Sequence, residues 1–137
     1  MKFETLFTLD VEGLELDVES WSEYLGLTPL EVCRFGQKIP AGNSRSISLS
    51  SYWTIGIKKI EGHSINSQLS EVLDLVHPVR AKIKELSDKY SLDAGCASFA
   101  WLGEDSEYSD VDLYIEHENI KRLAELGCDL AINVYDQ

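Results

Sequence analysis

A stripe of apolar residues over Ile65–Tyr90 constrains the fold of this chain more than any other feature. Its members recur every three or four residues, which places them on one side of a helix. Pro78 lies inside the stripe and lacks the amide proton that a helix interior needs. The pattern predicts either one kinked helix or two helices that meet at Pro78, and we favour the break. The stripe consists of Val72, Val76, Val79, Ile83, Leu86 and Tyr90.

Five other segments have the patterns of strands. Some alternate between apolar and polar residues, as a strand with one buried face does. Others are rich in β-branched, aromatic or small residues. The five predicted strands are Phe3–Val11, Tyr52–Ile60, Gly95–Leu102, Val111–Ile115 and Leu130–Val134.

The dipeptide Leu-Gly closes two predicted helices. The first is a short helix that ends at Leu25–Gly26 and is capped by Asp17 or Ser20. The second begins at Asn119 and ends at Leu126–Gly127. Glycine adopts the left-handed conformation that follows many helix C-termini at no steric cost, so both dipeptides predict helix ends rather than chemistry.

The order of these elements predicts one α+β domain over residues 1–137. We expect a mainly antiparallel sheet of about five strands with helices on one face. The closing β–β–α–β order is a ferredoxin-like element, and the similar order of elements in the two halves suggests a diverged duplication. The segment Cys33–Ser51, rich in Gly, Ser and basic residues, is a predicted loop with a short strand near Ile47–Leu49.

The chain has a formal charge of −12, from 24 acidic and 12 basic residues. Residues 1–31 hold eight acids and one base, and residues 92–137 hold eleven acids and two bases. Residues 32–63 hold one acid and five bases. A field of this overall sign repels nucleic acid and anionic membranes and attracts a cationic partner. The alternative is that the charge serves solubility alone.

The sequence favours a cytoplasmic location. No apolar run approaches the roughly 20 residues that cross a bilayer. Phe3–Val11 alternates where a signal peptide would be continuously apolar. The three cysteines, Cys33, Cys96 and Cys128, are odd in number and widely spaced, which is unlike a disulfide framework.

No segment has the spacing of a catalytic or metal-binding motif, so we expect no enzymatic activity, cofactor or metal. Gly36–Ser44 resembles a phosphate-binding loop, but Asn43 stands where that motif requires lysine. Cys33 lies beside Arg34, yet no residue is placed as the base that a thiol nucleophile needs. The histidines are too far apart for a zinc site; they are His63, His77 and His117.

The densest run of acids is the predicted partner-binding surface. Tyr108 lies inside the run, and aromatic side chains often anchor interfaces. The alternative site is the basic loop, where Arg34, Lys38 and Arg45 would hold an anionic ligand. The predicted partner-binding residues are Glu104, Asp105, Glu107, Tyr108, Asp110 and Asp112.

The chain resembles a family of small bacterial proteins of unknown function. The likeness covers nearly the whole chain: an early Leu-Gly-x-x-Pro, a glycine in a basic loop, a Trp-bearing strand and a closing Leu-Gly…Tyr. The resemblance implies a fold and a bacterial origin and carries over no catalytic residue. The residues that carry it are Leu25, Gly26, Pro29, Gly36, Trp53, Leu126, Gly127 and Tyr135.

These observations favour a non-enzymatic acidic binding protein. The sharpest expectation is an immunity-type inhibitor of a cationic bacterial toxin, such as a nuclease, whose active site must be positive to hold phosphates. The alternative is an enzyme or sensor that binds a small anionic ligand at the basic loop. The sequence leaves the oligomeric state open.

Overall fold

The computed structural model describes residues 1–40, 46–62, 64–103 and 113–136. Within these ranges the strands are β1 (Lys2–Glu12), β2 (Glu31–Cys33), β3 (Ser50–Glu61), β4 (Asp93–Trp101) and β5 (Asp129–Tyr135). The helices are α1 (Ser20–Leu25), α2 (Ile65–Val76), α3 (Arg80–Tyr90) and α4 (His117–Glu125).

The strands form one sheet in the order β2-β3-β1-β4-β5. β4 and β5 run parallel, whereas the other neighbouring strands pair antiparallel. The predicted α+β class with a mainly antiparallel five-stranded sheet is therefore confirmed. The parallel pair follows from the chain path, because α4 carries the chain back to the end of the sheet from which β4 starts.

One face of the sheet holds the core. The odd-numbered residues Phe3, Thr5, Phe7 and Leu9 of β1 are buried. Apolar side chains of all four helices join the same core as Phe7 and Leu9. Burial of each large apolar side chain stabilises the fold by about 1.5–3 kcal/mol relative to exposure. The helices therefore lie on one face of the sheet, as predicted.

The apolar stripe is broken at Pro78. A single 3₁₀ turn, His77–Val79, separates α2 from α3. The absence of an amide proton on Pro78 explains why the α-helical hydrogen-bond ladder stops there. The structure therefore contains the predicted break rather than one continuous helix.

Both Leu-Gly dipeptides end helices as predicted. Gly26 follows α1 with φ of +70°, and Gly127 lies just beyond α4 with φ of +64°. The predicted cap of α1 is wrong in detail. The N-cap is Glu19, which makes no side-chain capping bond, and the Ser20 hydroxyl instead donates to the Asp17 carbonyl.

Two strand predictions need correction. The second strand is Glu31–Cys33, whereas residues near Ile47–Leu49 contribute only an isolated bridge between Lys38 and Ile47. The strand predicted over Val111–Ile115 is not observed at residues 113–116, which are irregular, and its first two residues lie outside the described ranges. Only Ile115 is partly buried there, and the Glu116 amide donates to the Asn66 side chain where the chain enters α4.

Candidate functional site

On the sheet face opposite the helices lie the alternate side chains of each central strand, which point away from the core. In β1 these are the even-numbered residues, which are partly or fully exposed. The strand register places Asp10 of β1 between Tyr52 of β3 and Asp93 of β4. Among the described residues, no helix packs on this side, and we call it the open face.

One end of the open face is acidic. Asp10 and Asp93 are direct neighbours across the β1–β4 ladder. Asp129 of β5 lies opposite Gly95, two residues along the same side of β4. Glu12 follows Asp10 on the same side of β1. We call Asp10, Glu12, Asp93 and Asp129 the acidic end.

The closeness of these carboxylates affects the pKa of Asp10. Partial burial raises the pKa of Asp10 above its usual value, and the nearby Asp93 and Glu12 raise it further. A carboxylate in this position would gain from a cation placed beside it. The acidic end is thus a surface at which positive charge is favoured and further negative charge is not.

The middle of the open face consists of residues with small side chains or none. Gly95 and Ala97 of β4 lie beside Ala131 of β5 and Thr8 of β1. These residues line a shallow trough of about 680 Å³ that is continuous with Asp10, Asp93 and Asp129. A Cβ atom at Gly95 would meet nothing within 4 Å, so the floor has open space above it.

Three aromatic rings occupy the other end of the open face. Trp101 stacks with Phe99 at 6.0 Å and with Tyr135 at 5.4 Å between ring centroids. The Lys59 ammonium lies 4.2 Å from the centroid of Trp101, in cation–π contact. Tyr135 keeps 42% of its surface exposed. We call Phe99, Trp101 and Tyr135 the aromatic end.

On the β2 side of the open face, the polar groups of Tyr52 and Cys33 make hydrogen bonds within the domain. The Tyr52 hydroxyl donates to the Glu31 carboxylate, and burial together with this bond raises the pKa of Tyr52. The buried Cys33 thiol faces the backbone carbonyls of Arg34 and Lys38 at 3.6 and 3.5 Å. The thiol acts as the hydrogen-bond donor in both contacts.

The other two cysteines, Cys96 and Cys128, are unsuited to nucleophilic chemistry. Burial raises the pKa of Cys96 to about 12. Burial and the nearby Cys96 raise the pKa of Cys128 to about 12 as well. Thiols of this kind are protonated at neutral pH. In the part of the chain that the structure describes, no group of His, Cys, Asp or Glu is arranged to hold a metal ion.

The predicted basic-loop site is largely neutralised where it is described. The Arg34 guanidinium lies 2.9 Å from Asp17, 2.8 Å from Glu19 and 3.9 Å from Glu15. This arrangement lowers the pKa of Glu19 and fastens the loop to the segment that precedes α1. Lys38 is exposed, and Arg45 lies outside the described residues.

The predicted partner-binding surface lies outside the described residues. All six of its members, Glu104, Asp105, Glu107, Tyr108, Asp110 and Asp112, fall in the range 104–112. The structure instead brings together Asp10, Asp93 and Asp129, which the sequence analysis did not group. In the sequence each lies in or just before a predicted strand, and only the register of three strands brings them together.

The comparisons with known proteins bear on the whole chain. Residues 3–137 match the model of a family described as a domain of unknown function, DUF4279. The chain belongs to the DUF4279 family. The resemblance noted from the sequence, to an uncharacterised family, is thereby confirmed for a DUF4279 domain that spans nearly the full chain. No curated protein and no solved structure matches it.

A further finding concerns membranes. Among the described residues of the DUF4279 domain, no helix is long and apolar enough to cross a bilayer.

Proposed function

We propose that this DUF4279 domain is a non-enzymatic acidic binding protein whose partner is a basic protein. In its sharpest form, the proposal is an immunity-type inhibitor that covers the cationic active site of a bacterial toxin, such as a nuclease. The observation that carries it is the acidic end of the open face. There, four carboxylates share a surface that no described helix covers.

The physical reason lies in the charges of the two partners. A nuclease holds phosphates, so its active site is positive. A chain with a formal charge of −12 attracts such a protein from a distance, and complementary charge speeds association more than it tightens the final complex. Complementary charge also excludes wrong partners. An inhibitor that must reach its target before damage occurs benefits from both effects.

Affinity capture from the native host tests the proposal. The immobilised domain should retain a basic protein, and the purified partner should lose its catalytic activity when one equivalent of the domain is added. A useful control is the same capture at high salt during loading, which should reduce recovery because exposed charges are screened. Recovery of only acidic or neutral proteins, or a partner that stays fully active in the complex, would refute the proposal.

The alternative of an anionic ligand at the basic loop has less support. Arg34, its central cation, is already surrounded by Glu15, Asp17 and Glu19. A thermal-shift series with nucleotides and acidic metabolites discriminates between the two functions. We expect no saturable stabilisation, because an incoming anion would have to displace three carboxylates. A stabilisation that grows with the logarithm of ligand concentration would favour the alternative instead.

A further inference from the structure

We propose that the open face receives the basic partner through a two-part recognition: a cationic side chain at the acidic end and an apolar side chain at the aromatic end. This inference rests on the proposed function and specifies where on the domain the partner sits. The occupant is a segment of a basic protein that lies along β4, from Asp93 towards Trp101.

Charge fixes the orientation of that segment. Asp10 and Asp93 adjoin each other, and burial and mutual repulsion already raise the pKa of Asp10. A lysine or arginine of the partner would relieve this repulsion. At the other end, Lys59 covers Trp101, and Lys2 is the register partner of Trp101. Lys59 and Lys2 therefore disfavour a cationic side chain of the partner at the aromatic end. Glu4, opposite Phe99, offsets part of their charge.

The trough between the two ends allows close approach. Gly95, Ala97 and Ala131 present almost no side chain, so a partner backbone can lie near the sheet. Larger residues at these positions would hold it away. The trough therefore connects the two recognition points without an intervening obstacle.

The aromatic end suits an apolar side chain. The rings of Phe99, Trp101 and Tyr135 stack on one another, Phe99 and Trp101 are half-buried, and Tyr135 is substantially exposed. Exposed aromatic side chains are a typical feature of binding hot spots. Trp101 lies eight residue steps beyond Asp93 in β4, which at about 3.3 Å per step corresponds to roughly 26 Å. The partner's cationic and apolar side chains should be separated by this distance.

Synthetic peptides provide probes that do not require the native partner. The first carries two lysines, a spacer of about seven Gly, Ser and Thr residues, and a Leu-Phe pair, so that the nearest lysine and the leucine are about eight steps apart along an extended chain. The second replaces Leu-Phe by serines. The third replaces the lysines by glutamates. Each is titrated into the ¹⁵N-labelled domain while amide and indole resonances are recorded.

We expect the first peptide to shift the resonances of Asp93, Gly95, Ala97 and the Trp101 indole. The second should bind several-fold more weakly and shift only the acidic end. The third should cause no saturable shift. Equal binding of the first and second peptides would overturn the two-part recognition, as would shifts centred on the helical side of the domain.

Two triple variants separate the site from the overall charge. The site variant carries Asp10→Asn, Asp93→Asn and Asp129→Asn. The control variant carries Glu23→Gln, Glu71→Gln and Glu118→Gln, which are exposed on the helices. Both variants lose the same three negative charges. The site variant should bind the first peptide about tenfold more weakly than the control variant does, because it lacks the carboxylates that face the two lysines. Equal affinities would overturn the inference.

The remaining outcomes are also decisive. Concentration-dependent dimerisation that broadens the open-face resonances without peptide would make a second copy the occupant and overturn the inference. If the site variant captures the native basic partner as well as the wild type does, the proposed function holds and this inference fails. If no basic partner is captured while the first peptide maps to the open face and depends on its aspartates, the proposed function fails and the assigned surface holds.

Discussion

At the scale of single residues, Gly56 shows how closely the two central strands approach. A Cβ atom at this position would lie 2.1 Å from the Thr5 carbonyl oxygen and 2.9 Å from the Leu6 Cα. Both neighbours are backbone, so the clash cannot be relieved by turning a side chain. We expect Gly56→Ala to lower the free energy of unfolding by about 1–3 kcal/mol in denaturant titration, as overpacking does.

Gly95→Ala is the matched control for this prediction. Gly95 is also in a central strand, but a Cβ atom there meets nothing within 4 Å. The control should therefore change the free energy of unfolding by less than about 0.5 kcal/mol. Equal destabilisation by both variants would show that the β1–β3 contact does not require glycine at residue 56.

The raised pKa of Asp10 predicts how the stability of the domain depends on pH. Burial, Asp93 and Glu12 raise its pKa in the folded state above the ordinary 3.8. The folded protein then binds a proton at Asp10 more tightly than the unfolded chain does, so the contribution of Asp10 to stability falls as the pH rises through that folded-state pKa. Asp10→Asn should raise the melting temperature at pH 7, and the difference should shrink as the pH falls towards 3.8. A variant that is less stable at pH 7 would contradict this.

At the scale of elements, α2 is tied to β1 by a buried polar side chain. The Gln68 side chain accepts a hydrogen bond from the Thr5 hydroxyl at 2.8 Å and donates one to the Phe3 carbonyl at 3.0 Å. Gln68→Met keeps a similar volume but removes both of these buried hydrogen bonds. We expect a loss of about 1–3 kcal/mol in the free energy of unfolding.

An exposed residue of the same helix controls for helix propensity. Glu71 lies on the outer side of α2, and Glu71→Ala should change the stability by less than about 0.5 kcal/mol. If Gln68→Met is as stable as the wild type, the two hydrogen bonds do not hold the helix against the sheet. Native-state hydrogen exchange of α2 would report the same loosening locally.

The elements also show how far the sequence can predict this fold. Long periodic segments such as Phe3–Val11 and Ile65–Tyr90 were predictable, because burial of one face imposes their spacing. Glu31–Cys33 was not, since three residues are too few to show a period. Val111–Ile115 alternated convincingly, but alternation reports only burial on one side. In the structure only Ile115 of residues 113–116 packs on the core, and Leu113 is exposed, so the alternation reported neither a strand nor burial of both apolar residues.

The candidate site was less predictable than the fold. Asp10, Asp93 and Asp129 belong to three strands, and only the strand order and register place them side by side. The aromatic end depends on the parallel pairing of Trp101 with Tyr135, which the sequence did not specify. Local patterns predict which residues face one side of a strand, whereas long-range pairing decides which strands are neighbours.

At the scale of the whole molecule, negative charge is the dominant physical property. The sequence contains 24 acidic and 12 basic residues. Arg34, one of the bases, lies within 4 Å of three carboxylates of its own chain. We propose that this net charge attracts a basic protein and that the four carboxylates of the acidic end receive it.

The association rate of the captured partner, measured by stopped flow against ionic strength, tests that claim most directly. We predict that the wild-type rate constant falls about tenfold or more between low and high salt, as steered association does. The Asp10→Asn, Asp93→Asn, Asp129→Asn variant should associate more slowly at low salt and respond less to added salt than the Glu23, Glu71, Glu118 control. A rate constant that is unchanged by salt, and equal for the two variants, would contradict the account.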